Sequence, residues 1–243
     1  MTTKPFLFFD LGGTLLDLRG IVTSMAARLE TRGVPSPVPM ALTWATQTAE
    51  LLPAAQGSRF RPERDIAADV LFNVLERQGR PIARGESIRL VRDAWNGFVE
   101  SCSLHVDASK EWLRDLRPRS VKLGIVTDGD SEAVKSVLAH LGLNGSFDSV
   151  TISEEARSYK PDSRIYQMAL ETCGAKASES LFVSDSALDL QGAASLGIAG
   201  ALIRRNLLPD LARPPPRAAV LSDLRDVRDL VDAYSKSGRF PLS

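Results

Sequence analysis

Cysteine is scarce in this chain of 243 residues, and the chain has no long apolar run and no excess of charge of either sign. Its two cysteines, Cys102 and Cys173, have no CxxC spacing, which argues against a disulfide framework and a thiolate metal site. No apolar run approaches the roughly 18 residues of a membrane-spanning helix. The run at 6–9 is too short for the core of a signal peptide. We therefore expect a cytoplasmic protein without a membrane partner.

The charges balance, because 30 Lys and Arg residues accompany 30 Asp and Glu residues. A protein that binds nucleic acid usually carries a basic excess or a basic stripe. Here the two signs are interleaved along most of the chain, so we do not expect nucleic acid as a partner. Hydrophobic residues make up 44% and charged residues 25%, which predicts one or two folded domains with a sizeable core.

Short apolar runs alternate with segments of helical periodicity along much of the chain. The apolar runs lie at 5–10, 121–129, 179–186, 197–203 and 217–223. The helical segments lie at 108–116, 131–141, 162–173, 187–196 and 222–234. This alternation predicts an α/β fold with a mainly parallel, Rossmann-like sheet that helices cover on both faces.

A long helical stretch interrupts this alternation. Residues 18–104 contain four helix-like blocks, separated by turn signals at 34–39, near Gly57 and at 77–85. Apolar residues within 66–75 recur at the spacing of one helix face, which indicates a packed helical bundle. We therefore predict an α/β core domain formed by residues 1–17 and 105–243, with an inserted all-helical cap domain at 18–104.

Polar residues follow the apolar runs at the points where strands are predicted to end. Asp10 ends the first run in DLGGTL, Thr127 ends the second in IVTDG, and Asp185 and Asp189 follow the third in VSDSALD. Lys160 precedes a proline in SYKPDSRIY. Each residue alone could be a solvated or capping side chain. Together they point to one site, because open α/β sheets bind ligands at the carboxyl ends of their strands.

This ordered set resembles the haloacid dehalogenase-like (HAD) superfamily, in the subgroup with a helical cap between its first and second motifs. The resemblance covers nearly the whole chain, including the runs at 140–150, 158–170 and 183–198. It implies that Asp10 is a nucleophile that forms an aspartyl phosphate. It further implies that Thr127 and Lys160 act in catalysis by stabilising the phosphoryl group, and that Thr127, Asp128 and Lys160 bind the substrate.

The resemblance also implies Mg²⁺ as a cofactor. Asp10, Asp185 and the backbone carbonyl of Gly12 would be the protein ligands of a hard, oxygen-rich metal site. Asp189 matches the second acidic position of the same motif and would support the site.

Gly12 departs from the pattern of the superfamily's phosphatases, which carry Asp two residues after the nucleophile as a general acid and base. Such groups typically contribute about 10²–10⁴-fold to the rate. We therefore predict a Mg²⁺-dependent, phosphatase-like hydrolase that acts on a small phosphorylated metabolite and favours activated leaving groups such as acyl or aryl phosphates. A monomer and a homodimer are both compatible with the sequence.

Other members of the superfamily also lack that Asp. Phosphonatases use a cap-domain lysine, and this chain has no lysine between Lys4 and Lys110, which excludes their mechanism. Haloacid dehalogenases use no Mg²⁺, usually carry Tyr at the position of Gly12, and resemble VSSNxxD where this chain has VSDSALD. Asp185 therefore favours phosphate chemistry, with a 2-haloacid dehalogenase-like hydrolase and a catalytically weak binding protein as the alternatives.

The cap is expected to set the identity of the substrate. Arg59, Arg61 and Arg64 surround Phe60 near a predicted cap turn and could meet an anionic substrate. Arginines in a turn are more often solvated.

Overall fold

A computed structural model describes residues 4–117, 121–205, 214–216 and 218–241. Its strands are β1 Phe6–Phe9, β2 Lys122–Thr127, β3 Ser149–Ile152, β4 Ser180–Ser184, β5 Ala199–Ile203 and β6 Ala219–Leu221. Its α-helices are α1 Arg19–Glu30, α2 Pro37–Leu51, α3 Glu63–Arg77, α4 Arg84–Ser101, α5 Lys110–Leu116, α6 Ser131–His140, α7 Ser153–Ala156, α8 Ser163–Cys173, α9 Ala187–Ala194 and α10 Val227–Ser237. Short 3₁₀ turns occupy Leu52–Ala54, Gly57–Arg59, Ala177–Glu179 and Leu224–Asp226.

The strands form one parallel sheet in the order β3-β2-β1-β4-β5-β6. β1 lies inside this sheet, where Phe6 pairs with Lys122 of β2 and with Ser180 of β4. All four residues of β1 are buried, as expected for a continuous apolar strand that is covered on both faces. The predicted Rossmann-like α/β fold is confirmed.

The strand β3 lies outside the five runs that the sequence predicts as strands. Its sequence, SVTI, alternates polar and apolar residues, and it forms one edge of the sheet. A short edge strand needs no continuous apolar run, which explains why its pattern is weak. The last predicted run begins at residue 217, which lies outside the described residues, and its strand β6 begins at Ala219.

Helices cover both faces of the sheet. On one face, Phe8 and Phe182 pack with Tyr166 of α8 and Leu190 of α9. On the other, the ring of Phe9 meets that of Trp112 of α5 edge-on, with the ring centroids 5.6 Å apart. No helix among the described residues is both long enough and apolar enough to cross a membrane.

The helices α1 to α4 lie between β1 and β2 in the chain and pack against one another. The Trp44 indole of α2 donates a hydrogen bond of 2.9 Å to the carbonyl of Ala67 in α3. The two chain segments that connect this bundle to the sheet run side by side, because Leu16 and Leu104 form an antiparallel bridge. The predicted helical stretch is thus present, while its division from the core into a separate domain stays a prediction.

Candidate active site

Asp10 lies at the centre of the site. It follows β1 directly, and its amide donates to the carbonyl of Val183 in β4 over 2.9 Å, so the sheet fixes its position. The Lys160 ammonium lies 2.5 Å from Oδ1 of Asp10 and 2.7 Å from Oδ2 of Asp189. Asp10 and Lys160 are only 4% and 5% exposed. Buried charges require such pairing, so the lysine and the two carboxylates form one electrostatic unit.

The pKa values of this unit follow from burial and pairing. Burial raises the pKa of Asp10, and the ammonium of Lys160 opposes that rise. Burial would lower the pKa of Lys160, but Asp10, Asp189 and Asp128 hold it well above its usual range. Lys160 is therefore a permanent cation that favours the ionised, nucleophilic form of Asp10.

Thr14 is a site residue that the sequence analysis missed. Its fully buried hydroxyl lies 3.0 Å from Oδ2 of Asp10 and 3.1 Å from Oδ1 of Asp185. The same hydroxyl accepts a hydrogen bond of 2.9 Å from the amide of Asp185. The available signal was a hydroxyl residue four positions after Asp10 in DLGGTL.

One hydroxyl carries one proton and donates to only one of these carboxylates at a time. The hydroxyl therefore donates to Asp10 or to Asp185, and both contacts are hydrogen bonds when Asp185 carries a proton. Burial, followed by the charge of Asp10, raises the pKa of Asp185 to about 7, which favours that protonated form.

Thr127 and Asp128 lie where the sequence analysis expected them, at the end of β2 and beside Lys160. The Thr127 hydroxyl is buried and donates to the carbonyl of Asp128 over 3.0 Å. Oδ1 of Asp128 accepts a hydrogen bond of 3.0 Å from the amide of Lys160. Burial raises the pKa of Asp128 to about 7. Their predicted part in substrate binding stays a prediction.

Hydroxyl groups around the start of α9 hold Asp189 in place. Ser184 donates to Oδ2 of Asp189 over 3.2 Å, and Ser186 accepts from the amide of Asp189 over 3.3 Å. The Tyr166 hydroxyl donates to the carbonyl of Asp189 over 2.7 Å. Asp189 therefore faces Lys160 from a fixed helix start, which agrees with its predicted supporting place in the site.

Gly13 is required by the turn after Asp10. Its φ of +81° lies in the left-handed region, and a Cβ atom there would come within 2.5 Å of Oδ2 of Asp185. Gly12 is less constrained, since its Cβ would meet Cδ1 of Leu18 at 3.0 Å, the end of a flexible side chain.

The predicted Mg²⁺ ligands were tested against this geometry. Oδ1 of Asp10 faces Lys160 and Oδ2 faces Thr14, while Asp185 also contacts Thr14. Within the part of the chain that the structure describes, no group of three or more His, Cys, Asp or Glu side chains could hold a metal. The predicted set differs from such a group, because it combines two carboxylates with the backbone carbonyl of Gly12, and both carboxylates already contact Lys160 or Thr14. No step below involves a metal, and Mg²⁺ binding stays a prediction for a titration to test.

A cavity of about 350 Å³ opens above Asp10, and residues of the helical segment and of the sheet's carboxyl edge line it together. Its apolar wall comes from both sides and includes Leu16, Leu18, Leu52, Trp95, Val134 and Val137. Its floor carries Lys160 and carboxyl groups, namely Asp10, Asp128, Asp185 and Asp189, and Glu63 and Asp130 lie at its side. Lys160 is the one basic side chain among the described lining residues.

The three arginines that the sequence analysis considered for an anionic substrate do not line this cavity. Arg61 pairs with Asp69 over 2.6 Å. Arg64 lies 3.1 Å from Asp130 and 2.8 Å from Glu154. Arg59 is exposed in its turn. Arg61 thus pairs within the helical segment, whereas Arg64 connects that segment to the starts of α6 and α7.

The family model for haloacid dehalogenase-like hydrolases matches residues 6–197. The chain belongs to this family. The resemblance inferred from the motifs is thus confirmed, and so is the expectation of a HAD-family hydrolase.

Similar proteins narrow the choice within the family. An (S)-2-haloacid dehalogenase of Pseudomonas sp. (strain YL) is 34% identical over 105 residues, which are 42% of this chain and 45% of that protein. The chain thus matches less than half of that relative. The haloacetate dehalogenase H-2 of Moraxella sp. (strain B) is 25% identical over 193 residues, 78% of this chain and 80% of that protein. The crystal structure of an L-2-haloacid dehalogenase from Xanthobacter autotrophicus shares the fold, with a TM-score of 0.76 and 21% identity over 95% of this chain and 99% of that chain.

The prediction of a Mg²⁺-dependent phosphatase was wrong. The three similar proteins described above are named as dehalogenases, which favours the alternative that the sequence analysis ranked second. That ranking depended on Asp185, because a carboxylate at this position favours a metal and hence phosphate chemistry. In the structure Asp185 is partly buried and contacts the Thr14 hydroxyl at 3.1 Å, and burial raises its pKa to about 7.

Proposed function

We propose that this chain is a 2-haloacid dehalogenase-like hydrolase with Asp10 as its nucleophile. The main support for this proposal is the buried ion pair of Asp10 and Lys160, which faces a cavity with an apolar wall. The names of the similar proteins supply the substrate class, a short carboxylic acid with a halogen on C2.

The proposed reaction has two steps. First, a carboxylate oxygen of Asp10 attacks C2 of the substrate, the carbon–halogen bond breaks, and the halide leaves with its electron pair. This step joins Asp10 to the substrate as an ester. Water then attacks the ester at Cγ of Asp10, which releases the 2-hydroxy acid and one proton and restores the carboxylate.

The surroundings of Asp10 suit the first step. Lys160 favours its ionised form, and Thr14 contacts its second oxygen, so the nucleophile is held in one orientation. With 4% exposure, Asp10 has few water molecules to shed before it attacks. The hydrocarbon part of a 2-haloacid would contact Leu18 and Trp95 on the apolar wall.

An anionic substrate must also tolerate the carboxyl groups of the cavity. Burial raises the pKa of Asp128 and of Asp185 to about 7, and that of Glu63 to about 8. At neutral pH a large fraction of these groups is therefore uncharged. A protonated carboxyl group repels no anion and can donate a hydrogen bond to the substrate carboxylate.

Halide release from the two enantiomers of 2-chloropropionate tests the proposal. We expect the wild-type chain to release chloride and the Asp10→Asn variant to release none, because the amide is not a nucleophile. Asp229→Asn, a change at an exposed position of α10, is the matched control and should behave like the wild type. Chloride release that persists in Asp10→Asn would overturn the assignment of the nucleophile. A wild type that releases no halide from either enantiomer would overturn the proposed function and favour a binding protein.

A further inference from the structure

Three successive backbone carbonyls after Asp10 are held by residues from distant parts of the chain. We call residues 11–16 the nucleophile loop. The His105 ring nitrogen Nε2 lies 3.1 Å from the carbonyl of Gly13, and the His105 amide donates to Leu15 over 2.9 Å. Between them, Nη2 of Arg205 donates to the carbonyl of Thr14 over 2.6 Å.

Arg205 is itself anchored. Its Nη1 donates to both carboxylate oxygens of Asp107, over 2.8 and 2.9 Å, and both side chains are only 11% exposed. Oδ2 of Asp107 also accepts a hydrogen bond of 2.9 Å from the amide of Leu224. The guanidinium therefore has a fixed place between Asp107 and the nucleophile loop, as its planar group of donors allows.

The His105 contact has a defined proton arrangement. A backbone carbonyl only accepts hydrogen bonds, so Nε2 of His105 must carry the proton that faces Gly13. Burial, and then the positive charge of Arg205, lowers the pKa of His105, so its ring is neutral at neutral pH. Of the two side chains that contact carbonyls of the nucleophile loop, Arg205 is thus the charged one.

We propose that Arg205 is a positioning residue that fixes the Thr14 hydroxyl between Asp10 and Asp185. The hydrogen bond from the Thr14 hydroxyl orients Asp10 only while the backbone of Thr14 stays in place. Among the described residues, Arg205 is the one whose side chain donates a hydrogen bond to the Thr14 carbonyl. Asp107 acts through Arg205 by fixing its guanidinium. The kinetic part of this inference depends on the proposed dehalogenase function.

The support also connects the site to the helical segment. Asp107 and His105 follow Leu104, which pairs with Leu16 where the chain returns from the helices α1 to α4. The same short stretch therefore contacts the nucleophile loop and Arg205, and it follows directly after α4 of the helical segment. A substitution that removes the contacts of Arg205 should therefore increase the mobility of the nucleophile loop before that of the strands.

The experiment compares Arg205→Gln, Arg205→Lys and Asp107→Asn in the full chain. Chloride release from 2-chloropropionate gives kcat and KM, and amide hydrogen exchange reports on the nucleophile loop. In that loop the amides of Leu15 and Leu16 donate to the carbonyl of Leu11, so we expect them to exchange slowly in the wild type. Arg114→Gln is the matched control, since it removes an exposed pair with Glu111 on α5.

For Arg205→Gln we expect kcat to fall by about 10- to 100-fold, the scale of a small misplacement of a catalytic group, while KM changes by less than about threefold. Exchange in residues 11–16 should rise without a matching rise in β2 and β4. Arg205→Lys should recover part of kcat, because an ammonium can still donate to Thr14 but cannot form the full fork. The control should match the wild type.

Wild-type kcat together with wild-type exchange in the loop would overturn the inference. An equal loss of kcat in Arg205→Gln and Arg205→Lys, together with faster amide exchange in every strand, would also overturn it. That result would indicate a general loss of stability. If Arg205→Gln does not fold, the kcat and the loop exchange of Arg205→Lys and Asp107→Asn test the positioning role instead. If the wild type releases no halide, the proposed function fails, while exchange in the loop still tests the positioning by Arg205.

Discussion

Replacement of Lys160 by methionine tests whether the lysine keeps Asp10 ionised. The ammonium of Lys160 contacts Asp10 and Asp189 at 2.5 and 2.7 Å, and the side chains of Lys160 and Asp10 are at most 6% exposed. Methionine fills a similar volume without the charge. Two carboxylates then remain close together, one of them deeply buried, with no cation between them, and at least one must bind a proton.

The size of the effect follows from this geometry. Breaking a buried ion pair by removing one partner costs about 3–5 kcal/mol when the other charge stays ionised. At a pH below the new pKa of Asp10, the carboxylate binds a proton, and this reduces the free-energy cost of the missing partner. If this pKa rises about two units above the assay pH, only about 1% of Asp10 remains ionised, and kcat falls about 100-fold.

The dependence of stability on pH has a definite sign. In the variant, the pKa of Asp10 in the folded state lies above that in the unfolded chain, so the folded state binds more protons. Lys160→Met should therefore be most stable at low pH and lose stability as the pH rises towards the raised pKa. Urea unfolding at pH 5 and pH 8 measures this difference, and chloride release measures kcat.

Lys135→Met provides the matched control, because Lys135 is 68% exposed and pairs with Glu155 at the surface. It should leave kcat and stability nearly unchanged. A Lys160→Met variant with wild-type kcat and equal stability at both pH values would refute the reasoning that Lys160 keeps Asp10 ionised.

Three further predictions concern other groups of the site. Thr14→Val should lower kcat about tenfold by removing the hydrogen bond to Asp10, and unchanged kcat in steady-state chloride release would contradict this role. Since burial, with Asp130 and Asp128 adding to it, raises the pKa of Glu63 to about 8, the wild-type KM for 2-chloropropionate should rise above pH 8 as Glu63 becomes an anion. Glu63→Gln should remove that rise, and a rise of equal size in the variant would assign it to another group. Treatment with a chelator should leave chloride release unchanged, and a loss that Mg²⁺ restores would show that the reaction needs the metal.

The parts of the site that follow strand ends were predictable from the sequence. Asp10, Thr127 and Asp185 each come after an apolar run, and parallel strands bring such positions to one edge of a sheet. The helical stretch between β1 and β2 was predictable for a similar reason, since its apolar residues recur with the period of a helix.

Contacts that depend on backbone conformation were not predictable. Thr14 reaches Asp10 only because Gly13 takes a φ of +81° and turns the loop back. Arg205 contacts Thr14 from 191 positions away, and no local pattern marks such a pair. The phosphatase prediction, which the names of the similar proteins overturned, depended on the type and spacing of Asp185, and these do not reveal that burial raises the pKa of this group.

A single turnover in H₂¹⁸O tests the central claim most directly. The chain, in excess over 2-chloropropionate, is allowed to react once, and mass spectrometry then locates the heavy oxygen. If Asp10 forms the ester and water attacks its Cγ, the label must appear in the peptide that contains Asp10, and the first 2-hydroxypropionate must be unlabelled. Label in the product with none on Asp10 would mean that water attacks the substrate directly, which would contradict the account.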